Sequence, residues 1–63
     1  MYSIELRKIK QGEVFKRKPD AKGLFVKGDY DRGTKSFSCS DYNDMNRELF
    51  IKSTKLVWLG FEY

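Results

Sequence analysis

Apolar and polar positions alternate most regularly from Leu24 to Asp41, LFVKGDYDRGTKSFSCSD. A glycine-bearing tetrad, Asp31-Arg32-Gly33-Thr34, divides this stretch, and such tetrads between alternating runs mark a hairpin turn. Pairing Tyr30 with Lys35 sets Gly28 opposite Phe37, Val26 opposite Cys39 and Leu24 opposite Asp41. One face of the ribbon then collects Leu24, Val26, Gly28, Phe37 and Cys39. The other collects Lys27, Asp29, Ser36, Ser38 and Ser40, with Phe25 beside them. The two alternations agree in this register, and a one-residue slip would turn every side chain to the opposite face.

The flanking segments extend the β pattern. Ile4 and Leu6 suit a short first strand, and Glu13 to Arg17 a second that stops at Pro19, which cannot donate a ladder hydrogen bond. Pro19-Asp20-Ala21-Lys22-Gly23 carries loop chemistry at both ends. Only Asp41 to Glu48 has a helical pattern: Asp41 or Asn43 supplies a cap, and Tyr42, Met45 and Leu49 share a face. Eight residues support at most one short helical turn near 42–48. Leu49 to Lys52 and Lys55 to Tyr63 form a second hairpin across Ser53-Thr54, with Leu49 opposite Trp58, Phe50 opposite Val57 and Ile51 opposite Leu56. Trp58 is read there as a core anchor, and the chain end Phe61-Glu62-Tyr63 as part of a paired strand.

Both faces of that hairpin are apolar, which suits strands covered on both sides or wrapped in a strongly bent sheet. A flat sheet would expose half of its aromatic rings and two edges, whereas a small barrel hides both. The predicted architecture is mainly β: one domain over 1–63, a five- to six-stranded antiparallel barrel of the Src-homology-3 type. An oligonucleotide-binding-type barrel is the alternative, and Gly28 and Gly60 are the expected bend points.

Composition narrows the chemistry. The chain has 63 residues, one cysteine and no histidine, so neither an internal disulfide nor a usual zinc site is available. Five Phe, four Tyr and one Trp must supply the core. Without histidine there is no Ser-His or Cys-His nucleophile system. Cys39 points to the predicted core. Asp29 with Asp31, and Asp41 with Asp44, stand at turn boundaries where carboxylates cap backbone. No glycine-rich segment precedes a helix in the manner of a phosphate loop. The expectation is a non-enzymatic domain with no cofactor and no metal. MYSIELRKIK lacks the apolar run of a signal peptide, and no segment approaches a membrane span, so cytoplasm is expected, either of the gene's owner or of a host.

Charge points to a partner. Residues 1–35 hold ten Lys/Arg against five Asp/Glu, whereas residues 36–63 hold three against four. Cations amid exposed rings suit nucleic acid, DNA or RNA: rings stack on bases while Lys and Arg follow phosphates. The candidate contact residues are Lys16, Arg17, Lys18, Phe25, Lys27 and Arg32. The plainer account is a solubilising basic face, with Phe25 packed under the N-terminal segment against Ile4 or Ile9. Arg47 is expected to pair with Asp44 or Glu48. Two other partners fit the same chain: a protein docked on an exposed strand edge, or further copies of the chain assembled through the doubly apolar C-terminal hairpin.

Several stretches together carry a resemblance: Phe15 through Lys18-Pro19, Val26-Lys27-Gly28-Asp29-Tyr30-Asp31-Arg32, Ser38-Cys39, Asn46-Arg47-Glu48-Leu49-Phe50-Ile51-Lys52, and Val57 through Phe61. In these the chain resembles a group of short proteins encoded by phages and mobile elements of gut bacteria. The resemblance implies a small stand-alone protein of phage or plasmid origin. It carries no assigned activity and no functional residues to transfer.

Overall fold

The computed structural model describes residues 1–44 and 46–62. Among the described residues six strands follow one another: β1 (Tyr2–Glu5), β2 (Val14–Phe15), β3 (Phe25–Asp31), β4 (Ser36–Asp41), β5 (Glu48–Lys52) and β6 (Leu56–Leu59). They form two antiparallel sheets, β1-β6 and β2-β3-β4-β5. Lys16 and Trp58 join the sheets through reciprocal backbone hydrogen bonds: the Lys16 N–H donates to Trp58 O at 3.0 Å, and the Trp58 N–H to Lys16 O at 2.8 Å. Among the described residues the helical element is one 3-10 turn at Leu6–Lys8, and those of 42–48 form none. The β4–β5 connection is a turn instead. Asp41 Oδ1 accepts the Asn43 N–H and Asp44 Oδ1 the Asn46 N–H, and these local bonds compete with helix. Met45, expected on the helical face, lies outside the described residues.

The central hairpin forms, but in another register. Lys27 stands opposite Cys39, Tyr30 opposite Phe37 and Asp31 opposite Ser36. Two local devices explain the difference. At the tip, Asp31 organises the turn: its carboxylate accepts the Gly33 N–H at 3.0 Å and the Thr34 hydroxyl at 3.1 Å. Lys35 closes the loop in the left-handed region, at φ 55°, so the loop spans 32–35 and pairing begins at Asp31. Further in, Gly28 and Asp29 together oppose Ser38 in a β-bulge. Gly28 is a bend point for a steric reason, since a Cβ there would lie 2.3 Å from the Ser38 carbonyl oxygen.

The bulged register turns Lys27 inward. Its side chain is only 5% exposed, its Nζ donates to the Ile9 carbonyl, and the same atom lies 4.0 Å from the Phe37 ring centroid. Ser36, expected outside, is buried as well. Leu6, Ile9, Phe15, Cys39, Ile51, Val57 and Leu59 form the core, with Ile4, Phe25, Phe37 and Leu49 packed against it. Cys39 is fully buried, as its alternation predicts, and burial raises its thiol pKa.

The C-terminal segments do not pair with each other. β5 joins β4, with Ile51 opposite Phe37 and Leu49 opposite Cys39, whereas β6 joins β1, with Trp58 opposite Ser3. The tight turn at Ser53-Thr54 is present, closed by the Lys55 N–H on Lys52 O, but the chain changes sheets there. Leu6 and Arg7 hold that crossing by donating their N–H groups to Lys55 O and Ser53 O. β6 ends at Leu59, and Gly60, at φ 79°, turns the chain away, so Phe61 and Glu62 are not strand. Tyr63 lies outside the described residues. Among the described residues, no helix is long and apolar enough to cross a membrane.

Candidate nucleic-acid interface

After the Lys16–Trp58 bridge the chain leaves β2 and turns over Lys18–Ala21, where the Ala21 N–H donates to Lys18 O at 3.1 Å. This turn projects Arg17 and Lys18 beside β6. The Ser53-Thr54 crossing brings Lys52 and Lys55 to the same region. Between them lies a cleft of about 690 Å³, lined by Arg17, Lys18, Lys52, Thr54, Lys55, Leu56 and Trp58. Arg17 and Lys18 also border an adjoining hollow of about 270 Å³ that ends on Ala21, Gly23 and Phe25. Four cations line the pair of hollows, and among the described residues no carboxylate does.

Ion pairing is sparse among the described residues, and what marks the cleft is that its cations are gathered in one place. Among the described residues, ion pairs are Arg7 and Lys8 with Glu5, at 3.2 and 3.5 Å. The hydrogen bond from Arg7, helped by the charges of Arg7 and Lys8, holds the Glu5 carboxyl below the usual carboxylate range. The cleft cations have no such partner among the described residues. Lys52 Nζ donates to Thr34 O at 2.9 Å, a neutral acceptor that leaves its charge uncompensated. A separate hollow lined by Tyr2, Gly12, Glu13, Val14, Leu59, Gly60 and Phe61 has a carboxylate and no cation.

Of the residues expected from sequence, Arg17, Lys18 and Phe25 come together. The Arg17 guanidinium carbon sits 5.9 Å from the Phe25 ring centroid, and Phe25 also stacks with Phe15 at 6.2 Å. Phe25 is thus a half-buried support beneath Arg17, and it packs on Phe15 rather than standing free on an outer face. Lys16 is diverted, with its Nζ 5.0 Å from the Phe61 ring centroid. Lys27 is buried on the opposite face of β3 from the one expected. Arg32 is exposed in the β3–β4 turn and does not line the cleft.

Sequence reasoning missed Lys52, Lys55 and Trp58. Val57 and Leu59 point into the core, so Leu56 and Trp58 point out: Leu56 is 48% exposed and Trp58 half-buried. Period two in Leu56-Val57-Trp58-Leu59 carried that information, but both sets are apolar and neither announces which faces solvent. The lysines lie in the half of the chain that is acidic by count, and only the sheet crossing moves them beside Arg17. Arg47 makes no ion pair with Asp44 or Glu48. Backbone bonds hold that turn, the Arg47 N–H donating to Asp44 O and the Asp41 N–H to Arg47 O, both at 2.9 Å. Among the described residues, no group of three or more His, Cys, Asp or Glu is placed to hold a metal. Comparison with protein-family models, with curated proteins and with solved structures finds no match to this chain.

Proposed function

We propose that this chain is a small non-enzymatic binding domain, built as a half-open barrel of the Src-homology-3 type, that holds nucleic acid in the cleft between Lys18 and Lys55. One observation carries the reading: four cations from two distant segments converge on a mainly apolar cleft with no carboxylate among the described residues to neutralise them. Solubility needs charge spread over a surface, whereas a polyanion site needs it gathered. Each phosphate neutralised releases condensed counterion, giving a salt slope of about −0.7 to −0.9 per contact. Four contacts therefore weaken binding by roughly 50- to 150-fold between 50 and 200 mM salt.

Fluorescence anisotropy with labelled DNA and RNA at those two salt concentrations tests this. Lys52→Ser with Lys55→Ser should halve the slope, and Arg17→Glu with Lys18→Glu should abolish binding. Failure of the parent protein to bind any nucleic acid at low salt, or binding indifferent to salt, overturns the proposal.

A second reading rests on β5. It ends the four-stranded sheet, and its Phe50 is 59% exposed. A protein partner could add a strand to that edge.

A further inference from the structure

We infer that the cleft takes nucleic acid as a single strand, with a base stacked on the Trp58 indole while Arg17, Lys18, Lys52 and Lys55 follow the flanking phosphates. The inference rests on the polyanion reading and deepens it. Two aromatic residues border the hollows, and they differ in what already occupies them. Phe25 is engaged by the ring of Phe15 and the guanidinium of Arg17. Trp58 has neither a ring nor a cation set against it among the described residues.

Its backbone is fixed nonetheless, between β1 on one side and Lys16 on the other. A ring held by a rigid strand, lining an open cleft beside the exposed Leu56, is pre-organised to stack and loses little freedom in doing so. Four cations without a carboxylate partner among the described residues, lining one cleft with an apolar ring, match a ligand with both phosphates and planar faces. A duplex offers its phosphates but keeps its base faces stacked on each other. A single strand offers both.

Trp58 is the single tryptophan of the chain, so its emission reports on the cleft alone. Oligothymidylate, oligouridylate, a DNA duplex and inorganic polyphosphate are titrated at low salt, with binding followed independently by calorimetry. Both single strands should quench Trp58 emission, and polyphosphate should bind without quenching. Trp58→Ala should weaken single-strand binding by about 5- to 150-fold, the range for one stacked base, and leave polyphosphate binding unchanged. Trp58→Phe, which keeps a ring on β6, should lose less and serves if the alanine variant unfolds.

Single strands that bind without quenching, and bind Trp58→Phe as tightly as the parent, overturn the stacking while the polyanion reading stands. Equal quenching by duplex overturns the single-strand preference. Absence of binding by every polyanion overturns the reading beneath both.

Discussion

One methyl group added at Gly28 tests the bulged register of the central hairpin. Gly28 and Asp29 share the place opposite Ser38, which brings the two backbones together until an ideal Cβ would lie 2.3 Å from the Ser38 carbonyl oxygen. Ordinary contact begins near 3.4 Å, so the strands must part by about 1 Å or the bulge must be lost. The obstacle is backbone, which cannot rotate aside as a side chain would. Overpacking of this kind costs about 1–3 kcal/mol. A domain of this size holds roughly 3–9 kcal/mol in all, at about 0.05–0.15 kcal/mol per residue. With a urea dependence near 1 kcal/mol per molar, Gly28→Ala should lower the unfolding midpoint by about 1–3 M. Gly23→Ala is the control, because no atom lies within 4 Å of a Cβ there and φ is not left-handed. It should be neutral or gain about 0.4–1 kcal/mol from a stiffer unfolded chain. In an unbulged hairpin Gly28 would face Phe37 across the strands, a place where alanine fits. A Gly28→Ala midpoint within about 0.3 M of the parent, or above it, would refute the bulge.

Two further outcomes follow from the core. Phe15 is 0% exposed and lies beside the Lys16 bridge between the sheets, so Phe15→Ala, at about 3–5 kcal/mol, should lower the urea midpoint by about 3–5 M, or unfold the chain outright if the parent midpoint is lower than that. Burial holds the Lys27 amine below the ordinary lysine value, so the folded state binds its proton less well than the unfolded chain does. Stability should therefore rise with pH from the lowered pKa towards the unfolded value near 10.4. The raised thiol of Cys39 works oppositely, removing stability as pH rises above about 8.5. Urea midpoints of Cys39→Ala should climb with pH through the lysine window, and those of Cys39→Ala with Lys27→Met should not; a climb that survives in the double variant excludes Lys27 as its source.

The β architecture was legible wherever alternation was one-sided. The central hairpin, the neighbourhood of its turn and the burial of Cys39 follow from residues 24–41, whereas on β3 the face read as polar, with Phe25 and Lys27, is the one that packs inward. The register did not follow, because its determinants are local and lie outside the alternation. The Asp31 carboxylate shifts the loop by one residue, and a two-for-one bulge alters pairing without altering the pattern. Lys27 shows the consequence. No hydropathy pattern marks a lysine whose amine will find the Ile9 carbonyl and the Phe37 ring inside the fold. In the C-terminal third, apolar residues at every position hid the strand partners. β5 and β6 look like a hairpin across Ser53-Thr54, and only their competing partners, β4 and β1, separate them. The candidate site suffered twice from that ambiguity, since the crossing exposes Trp58 and delivers Lys52 and Lys55 to the side of Arg17. Arg17 and Lys18 were named from sequence as part of a cation run, but the strand expected over Glu13 to Arg17 stops at Phe15, well before Pro19, and it is the turn after the Lys16 bridge that carries them to the cleft.

The most direct test of the cleft is an amide nuclear magnetic resonance titration of the isotopically labelled protein with oligothymidylate at low salt. Shifts should gather at Arg17, Lys18, Lys52 and Lys55 to Trp58, with the Trp58 indole N–H among the largest, and none should appear at Tyr2, Gln11 or Phe50. Shifts centred instead on Arg7, Lys8 and Lys10, on the Phe50 edge, or nowhere at all would contradict binding in the cleft.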